Sequence, residues 1–323
     1  MKSNNKIIPF FSKRWIYFTI SLTIMAIGTL FAIFQGVQLD IQFKGGAMLK
    51  YTYEGEIDEN AASDFVAKQL NRNVSPSLTK DYTSGEKQIV FNLAGKYGLD
   101  AKDQDALNAS LTEKFPENKL VLKETQMVEK FFGDKFFRNG IQAVLLAALF
   151  IVLYVWVRFK MMGGLSAGVM ALVALVHDVF VVFFTCVVFK IPIGDSFIAV
   201  ALSILGYSIN DTIVIYDRIR ENSKALVGES IEKITDLSIT QSMMRSVNTN
   251  VAVMISVSMV YIIAHLNNID SIKAFALPMA VGSISGCYST ICIAGPLWVM
   301  WKKRKGNTVI FEEKKPAQKK KYY

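Results

Sequence analysis

Residues Ile198–Asn222 read IAVALSILGYSINDTIVIYDRIREN. The first twenty or so are mostly apolar, long enough to cross a bilayer, with Asp211 set inside the run and Asn210 beside it. A carboxylate near the middle of a membrane helix costs about 3 kcal/mol on insertion scales, so it is rarely idle. Asp217-Arg218-Ile219-Arg220 then closes the segment with charges that suit a cytoplasmic end. Arg218 lies about two helical turns after Asp211, which places the acid about 10 Å inside that boundary. The reading is an ion-coupled membrane protein; the competing one is an acid that only joins helices through hydrogen bonds.

Composition agrees with a membrane chain. The 323 residues are 52% hydrophobic with a mean hydropathy of +0.31, above ordinary soluble usage. Apolar residues concentrate in six segments, 15–34, 138–157, 165–189, 196–216, 246–264 and 273–301, each near or above spanning length. A polar stretch, 35–134, separates the first from the rest. The predicted organisation is therefore a short N-terminus (1–14), a first spanning helix (15–34), a soluble domain (35–134), a bundle of five further helices (135–301) with a cytoplasmic loop at 217–244, and a basic tail (302–323).

Positive charge sets the orientation. Lys2, Lys6, Lys13 and Arg14 precede the first segment, Arg158 and Lys160 follow the second, Arg218, Arg220 and Lys224 the fourth, and Lys302 to Lys305 the sixth. The links at Lys190–Asp195 and Leu266–Lys273 carry one base and one acid each. Both termini are expected in the cytoplasm and 35–134 on the other side of the membrane. The first segment follows Lys13-Arg14 as a signal peptide would, but its apolar core is longer and no A-x-A-like site follows, so an uncleaved anchor is expected. The net charge of +9 comes mostly from the tail, Lys302 to Lys321. Such a tail meets anionic lipids at about 1 kcal/mol per base near the surface, and RNA or a ribosome is the other surface it suits; its plain reading is a topology-fixing tail, and no nucleic-acid partner is expected. Cys186, Cys287 and Cys292 all lie in apolar segments without metal spacing and read as small buried hydrophobes.

Between the first two spans, Met48–Glu54 alternates, with Leu49, Tyr51 and Tyr53 on one face. Ile57–Leu70 has helical spacing, Leu78–Thr83 is a weaker strand, and Ser84-Gly85 turns into Gln88–Leu93, where Ile89, Phe91 and Leu93 alternate. Asp100 is placed to cap a helix to Phe115 with Leu107 and Leu111 inward, and Lys119–Met127 is the last strand. The order β-α-β-β-α-β is that of the ferredoxin-like split βαβ arrangement, an α+β domain inserted in a membrane α-helical bundle of six helices. That fold alone names no function.

Within the bundle, Arg245 opens the fifth segment with Ser246, Asn248, Thr249 and Asn250 behind it, near the depth of Asp211. An Asp–Arg pair in low dielectric favours the charged acid, and separation favours its protonation, which links proton movement to helix movement; a static pair is the alternative. His177-Asp178 places a second acid and a titratable imidazole in the third segment, as a relay or as a helix-to-helix hydrogen bond. Ser203, Gly206 and Asn210 in the fourth helix, and Gly282, Gly286, Ser289 and Thr290 in the sixth, read as close-packing stripes. Pro278 and Pro296 mark the sixth helix for kinking.

The run ALSILGYSINDTIVIYDRIREN strongly resembles the fourth-helix signature of the SecF family, accessory subunits of the bacterial protein-translocation machinery. Tyr154 with Arg158-Phe159, His177-Asp178 and Arg245 stand where that family places its motifs, and Phe43-Lys44-Gly45-Gly46 is similar to its glycine pair ahead of the external domain. Gln42, where the family usually has Asp, and Val128-Glu129-Lys130, where it shows Val-Gly-Pro, depart from it. The resemblance implies a non-enzymatic half of a resistance-nodulation-division (RND) architecture with a SecD-like six-helix partner. With the SecYEG channel, the pair would use a proton or sodium gradient to assist a translocating preprotein, without a cofactor or metal. Asp211 would be the ion-binding acid, Arg245 its modulator, Asn210 beside the acid, Asp178 a supporting residue, and Gly45, Gly46, Gly206, Asp217 and Arg218 structural motif positions. Two other classes are weighed. Half of an RND-type small-molecule or lipid exporter would want a larger external part. A hydrolase on Asp178 and Asp211 would need carboxylates sharing a proton at about 3 Å, whereas these lie on different helices.

Overall fold

The computed structural model describes residues 7–40, 43, 45–72, 74–80, 85–94, 99–128, 130–267, 269–306 and 309. In chain order they form α1 (Arg14–Gln35), β1 (Gly46–Tyr53), α2 (Glu59–Leu70), β2 (Val74–Lys80), β3 (Lys87–Ala94), α3 (Ala101–Lys114) and β4 (Val121–Val128). Then come α4 (Lys130–Arg158), α5 (Gly164–Val188), α6 (Asp195–Ala225), α7 (Ile231–Leu266), α8 (Asp270–Ser289), a π-helical turn (Thr290–Ala294) and α9 (Gly295–Arg304). Among the described residues six helices, α8 and α9 counting as one, are long and apolar enough to cross a membrane. Residues 310–323 of the expected tail, with Gln42, Lys44 and Glu129, lie outside the described residues.

The sheet is antiparallel throughout, in the order β2-β3-β1-β4. Alternation drives it: Ala47, Leu49 and Tyr51 of β1 and Ile89, Phe91 and Leu93 of β3 put every second side chain on one face. Ala62 and Val66 of α2 and Leu107 and Leu111 of α3 cover that face. Asp58 starts α2 by accepting from the amides of Asn60 (2.9 Å) and Ala61 (3.2 Å). Two strand limits differ from the sequence reading. β2 starts at Val74, before the expected Leu78; Pro76 masks it, and is tolerated because β2 is an edge strand. The expected end of that strand, Asp81–Thr83, lies outside the described residues. β4 begins at Val121 because Lys119, after a tight turn at Pro116–Asn118, adopts φ +43.

The bundle is layered by burial. Half or more of the spanning windows of α5, α6 and α8–α9 are buried (50, 50 and 61%), against 11, 6 and 11% for α1, α4 and α7. Three helices thus form the interior and three present apolar surface outward, as lipid solvent permits. The link after α6 corrects the sequence reading. Residues 217–244, expected as a loop, are helical except for the short turn between Ala225 and Ile231. Their spacing is amphipathic and not uniformly apolar: Ile219, Ile231, Ile234 and Ile239 join a core with Phe159, Tyr216 and Trp298, and Asn222 Nδ2 donates to Ser238 Oγ (2.8 Å). A hydropathy scan for spans passes over such a segment. The same core takes in Phe10 and Phe11, whose strap is held by Asp236 Oδ1 accepting from the Phe11 amide (2.9 Å). In the last helix the break falls at the π turn, directly before Pro296. Proline offers no amide to the carbonyl four residues back, so the register slips there.

Candidate functional site

Asp178, on α5, is wholly buried. Its Oδ2 accepts from Ser208 Oγ of α6 (2.8 Å) and Ser289 Oγ of α8 (2.7 Å). Its Oδ1 accepts from Ser285 Oγ of α8 (2.6 Å) and lies 3.2 Å from His177 Nδ1. One carboxylate therefore joins the three interior helices. His177 Nε2, on the side facing α1, is buried without a partner among the described residues.

Less than one turn further along α6 from Ser208 stands Asp211, also buried. Its surroundings differ. Arg245, on α7, acts on the carboxylate by charge, yet among the described residues no ion pair joins them. Ser246 lies at the edge of hydrogen-bonding reach of the carboxylate, and among the described residues its buried Oγ has no other partner. Thr212 Oγ1 and Thr290 Oγ1 pair between α6 and the π turn at 2.9 Å, and both reach the Ser208 carbonyl (3.2 and 3.3 Å). A polar seam thus runs from Asp178 through Ser208, Thr212 and Thr290 to the level of Asp211. Asn250 Nδ2 (to Ser283 O, 2.7 Å) and Tyr207 Oη (to Thr249 O, 3.1 Å) connect α7 to α8 and α6 beside it.

The other expected positions fall elsewhere. Asn210 is exposed, next to the acid in sequence but about 100° around α6 from it. Ser203 and Gly206 share that outward face, and a methyl group added at Gly206 would meet nothing within 4 Å. This stripe is not a contact within the chain, contrary to the sequence reading. The α8 stripe is: a Cβ at Gly282 would fall 2.7 Å from Val182 and 2.8 Å from Ile204, and one at Gly286 3.0 Å from Ser208. Asp217 takes Arg158 (3.0 Å) and Arg220 (2.9 Å), tying the α4–α5 link to the end of α6, while Arg218 Nε donates to Gln241 (2.7 Å). Gly45 and Gly46 take φ +76 and +147, conformations that side chains rarely adopt, just ahead of β1.

The family described as protein export membrane protein SecD/SecF, C-terminal, matches residues 107–304. The chain is similar over 297 residues, at 32% identity, to the protein translocase subunit SecF of Alicyclobacillus acidocaldarius, a match covering 91% of this chain and 92% of that one. The chain belongs to the SecF family. The SecF of Petrotoga mobilis is 28% identical over 305 residues, 93% of this chain and 98% of that one. The crystal structure of SecDF, a translocon-associated membrane protein from Thermus thermophilus, superposes with a TM-score of 0.77 at 25% identity. That match covers 94% of this chain and 40% of the longer SecDF chain. SecDF in a super-membrane-facing form gives a TM-score of 0.67, also at 25% identity.

The SecF motif residues therefore divide by geometry. His177-Asp178 belongs to the tie among α5, α6 and α8, whereas Asp211 is buried on α6 within charge range of Arg245, which is exposed on α7. Sequence reasoning missed Ser208 and Ser285 as partners of Asp178. The signal was present: Ser208/Thr212 and Ser285/Ser289 are each spaced four apart on apolar helices, one polar strip on each.

Proposed function

We propose that this SecF-family chain is the six-helix half of a protein translocase accessory complex, coupling a transmembrane ion gradient through Asp211 to assist protein export. The observation that carries the reading is the contrast between two buried acids. Asp178 is surrounded by four polar contacts, whereas Asp211 is buried within charge range of exposed Arg245 and, among the described residues, closes no ion pair with it. An acid with its partner at a distance changes its attraction to that partner when it gains or loses a cation. Ionised, Asp211 draws Arg245 and Ser246 of α7 inward; neutralised, it releases them. One charge moved through ~150 mV supplies roughly 3.5 kcal/mol, a shift of about 300-fold in a two-state equilibrium. The tie at Asp178 holds α5, α6 and α8 as one body against which α7 moves.

The partner is read from the outward face of α6. Ser203, Gly206 and Asn210 lie exposed on it, and such a small-residue stripe in lipid is suited to a second helix. A SecD-like six-helix chain is the proposed occupant, in keeping with the longer SecDF chain that this one matches over two fifths of its length. SecYEG and the preprotein complete the assembly in this reading. Both termini are placed in the cytoplasm by the positive charges, with 35–134 outside as a ferredoxin-like domain, a reading supported by the strand order β2-β3-β1-β4.

The test is pulse-chase export of a secretory precursor in cells whose only copy carries Asp211→Asn at wild-type membrane level. Precursor accumulation equal to that of a strain lacking the gene is expected. Normal export would overturn the reading, and normal export in the deletion strain as well would point to an exporter.

A further inference from the structure

The outer end of α6 is bonded, backbone to backbone, to the stalk of the external domain. Ile193, two residues before α6 starts, donates its amide to Gln38 O (2.8 Å), and its carbonyl accepts from the Asp40 amide (3.0 Å). These bonds make Leu39 and Ile193 a parallel β-bridge between the chain leaving α1 and the α5–α6 link. Packing closes the joint. Phe43 is buried against Cys186 and Ile193, with its ring edge-on to Phe137 of α4 at 5.4 Å. Gly194 lies so close to the stalk that an added Cβ would sit 2.9 Å from Asp40 Cβ. Gly140 of α4 approaches Ile198 of α6 with the same closeness, 3.0 Å.

Directly past this joint come Gly45 and Gly46 with positive φ, and the sheet begins at Gly46. Gly46 is already paired to Ala94 and Val128 in the sheet, so a fixed joint followed by the left-handed glycine Gly45 has the arrangement of an anchor and a swivel. Asp211 sits sixteen residues into α6 from Asp195, so about 24 Å of continuous helix connects the acid to the joint. Helices of this kind transmit displacement as rigid elements.

We propose that the stalk residues Gln38–Asp40, with Phe43 bonded back to Asp40, and α6 move as one body, which sets the orientation of the external domain, and that the domain turns at Gly45. Gln38, Asp40, Phe43, Ile193 and Gly194 are then positioning residues that carry movement of α6 outward. The use of the joint for gradient-driven work rests on the role assigned above to Asp211; the joint itself does not.

The experiment measures spin-label distances between Ser110, on exposed α3, and Leu266, at the outer end of α7, in the full chain reconstituted in liposomes. With Asp211 intact, Gly194→Val, which crowds Asp40, and Phe43→Ala, which empties the joint, are each expected to broaden the distance distribution. An unchanged distribution in both folded variants overturns the proposal. A second arm adds Asp211→Asn. With the joint intact, the mean distance is expected to shift by about 5 Å, the scale of a one-turn helix step, and Gly194→Val should abolish the shift. A shift that persists through both broken joints also overturns it. Broadening on breaking the joint, with no Asp211→Asn shift when it is intact, upholds the joint and sinks the coupling role of Asp211.

Discussion

Replacing Asp178 by asparagine separates an acid that holds helices together from one that binds an ion. The wild-type carboxylate accepts Ser208 and Ser289 on one oxygen and Ser285, with His177, on the other. Asparagine keeps the shape and one acceptor oxygen, and its NH₂ meets hydroxyls that rotate to accept. The surplus of charged over neutral hydrogen bonds, about 1 kcal/mol for each, is offset by the smaller desolvation of a neutral amide, which leaves a net cost of about 1 kcal/mol. Leucine fills a similar volume but strands three serines. At roughly 0.6–1.7 kcal/mol per interhelical bond in a bilayer, that is about 2–5 kcal/mol. Stranded serines can turn back to their own helix, as Ser289 already does toward Gly286 O at 3.3 Å. The lower half of the range, about 2–3 kcal/mol, is therefore expected. The assay is thermal unfolding of purified protein in detergent, read by a thiol-reactive fluorophore on Cys186, Cys287 and Cys292, alongside precursor export. Asp178→Asn should melt near wild type and export normally; Asp178→Leu should melt earlier. Wild-type melting with abolished export in Asp178→Asn would refute the tie and make Asp178 a second ion-binding group.

Three further outcomes follow from packing and charge. Gly206→Leu should leave melting unchanged, because nothing lies within 4 Å of that position, yet weaken co-purification of a SecD-like partner. Gly282→Leu, driven into Val182 and Ile204, should cost about 1–3 kcal/mol or more and lower the membrane level; equal behaviour of the two variants would refute the assignment of faces on α6 and α8. In the sheet domain, hydrogen bonding to Lys50, 2.7 Å away, and then to Gln126 holds the Glu124 carboxyl below its usual range. A depressed acid stabilises the fold above its unfolded pKa and loses that contribution as pH falls through the folded one. Both side chains are partly exposed, so Lys50→Ala should cost at most about 1 kcal/mol at pH 7. The difference from wild type should vanish in acid, and a cost that grows toward low pH in denaturant titrations would contradict the assignment.

Much of the architecture was legible because its signals are local. The six apolar runs, the alternation of Leu49, Tyr51, Ile89, Phe91 and Leu93, and the helical spacing of Leu107 and Leu111 each lie within a few residues of one another. Departures arose where a local signal was mixed. Pro76 hid an edge strand, and the amphipathic residues 217–244 looked like a loop to a search for spans although two helices cover them.

By itself the sequence determined that six segments are long and apolar enough to cross a membrane, that an α+β unit interrupts them, and that Asp178, Asp211 and Arg245 lie within or at the start of apolar segments. Only the tertiary structure decided which acid is caged and which is open. Asp178's partners come from positions 30, 107 and 111 residues away, and the face of α6 that carries Ser208 inward turns Gly206 and Asn210 outward. The stalk joint likewise pairs Gln38 and Asp40 with Ile193 across four intervening strands. The reason is physical: hydropathy is a sum along the chain and marks a helix as spanning. Its rotation is settled only by packing against its neighbours, where nearly every side is apolar and a few hydroxyls decide.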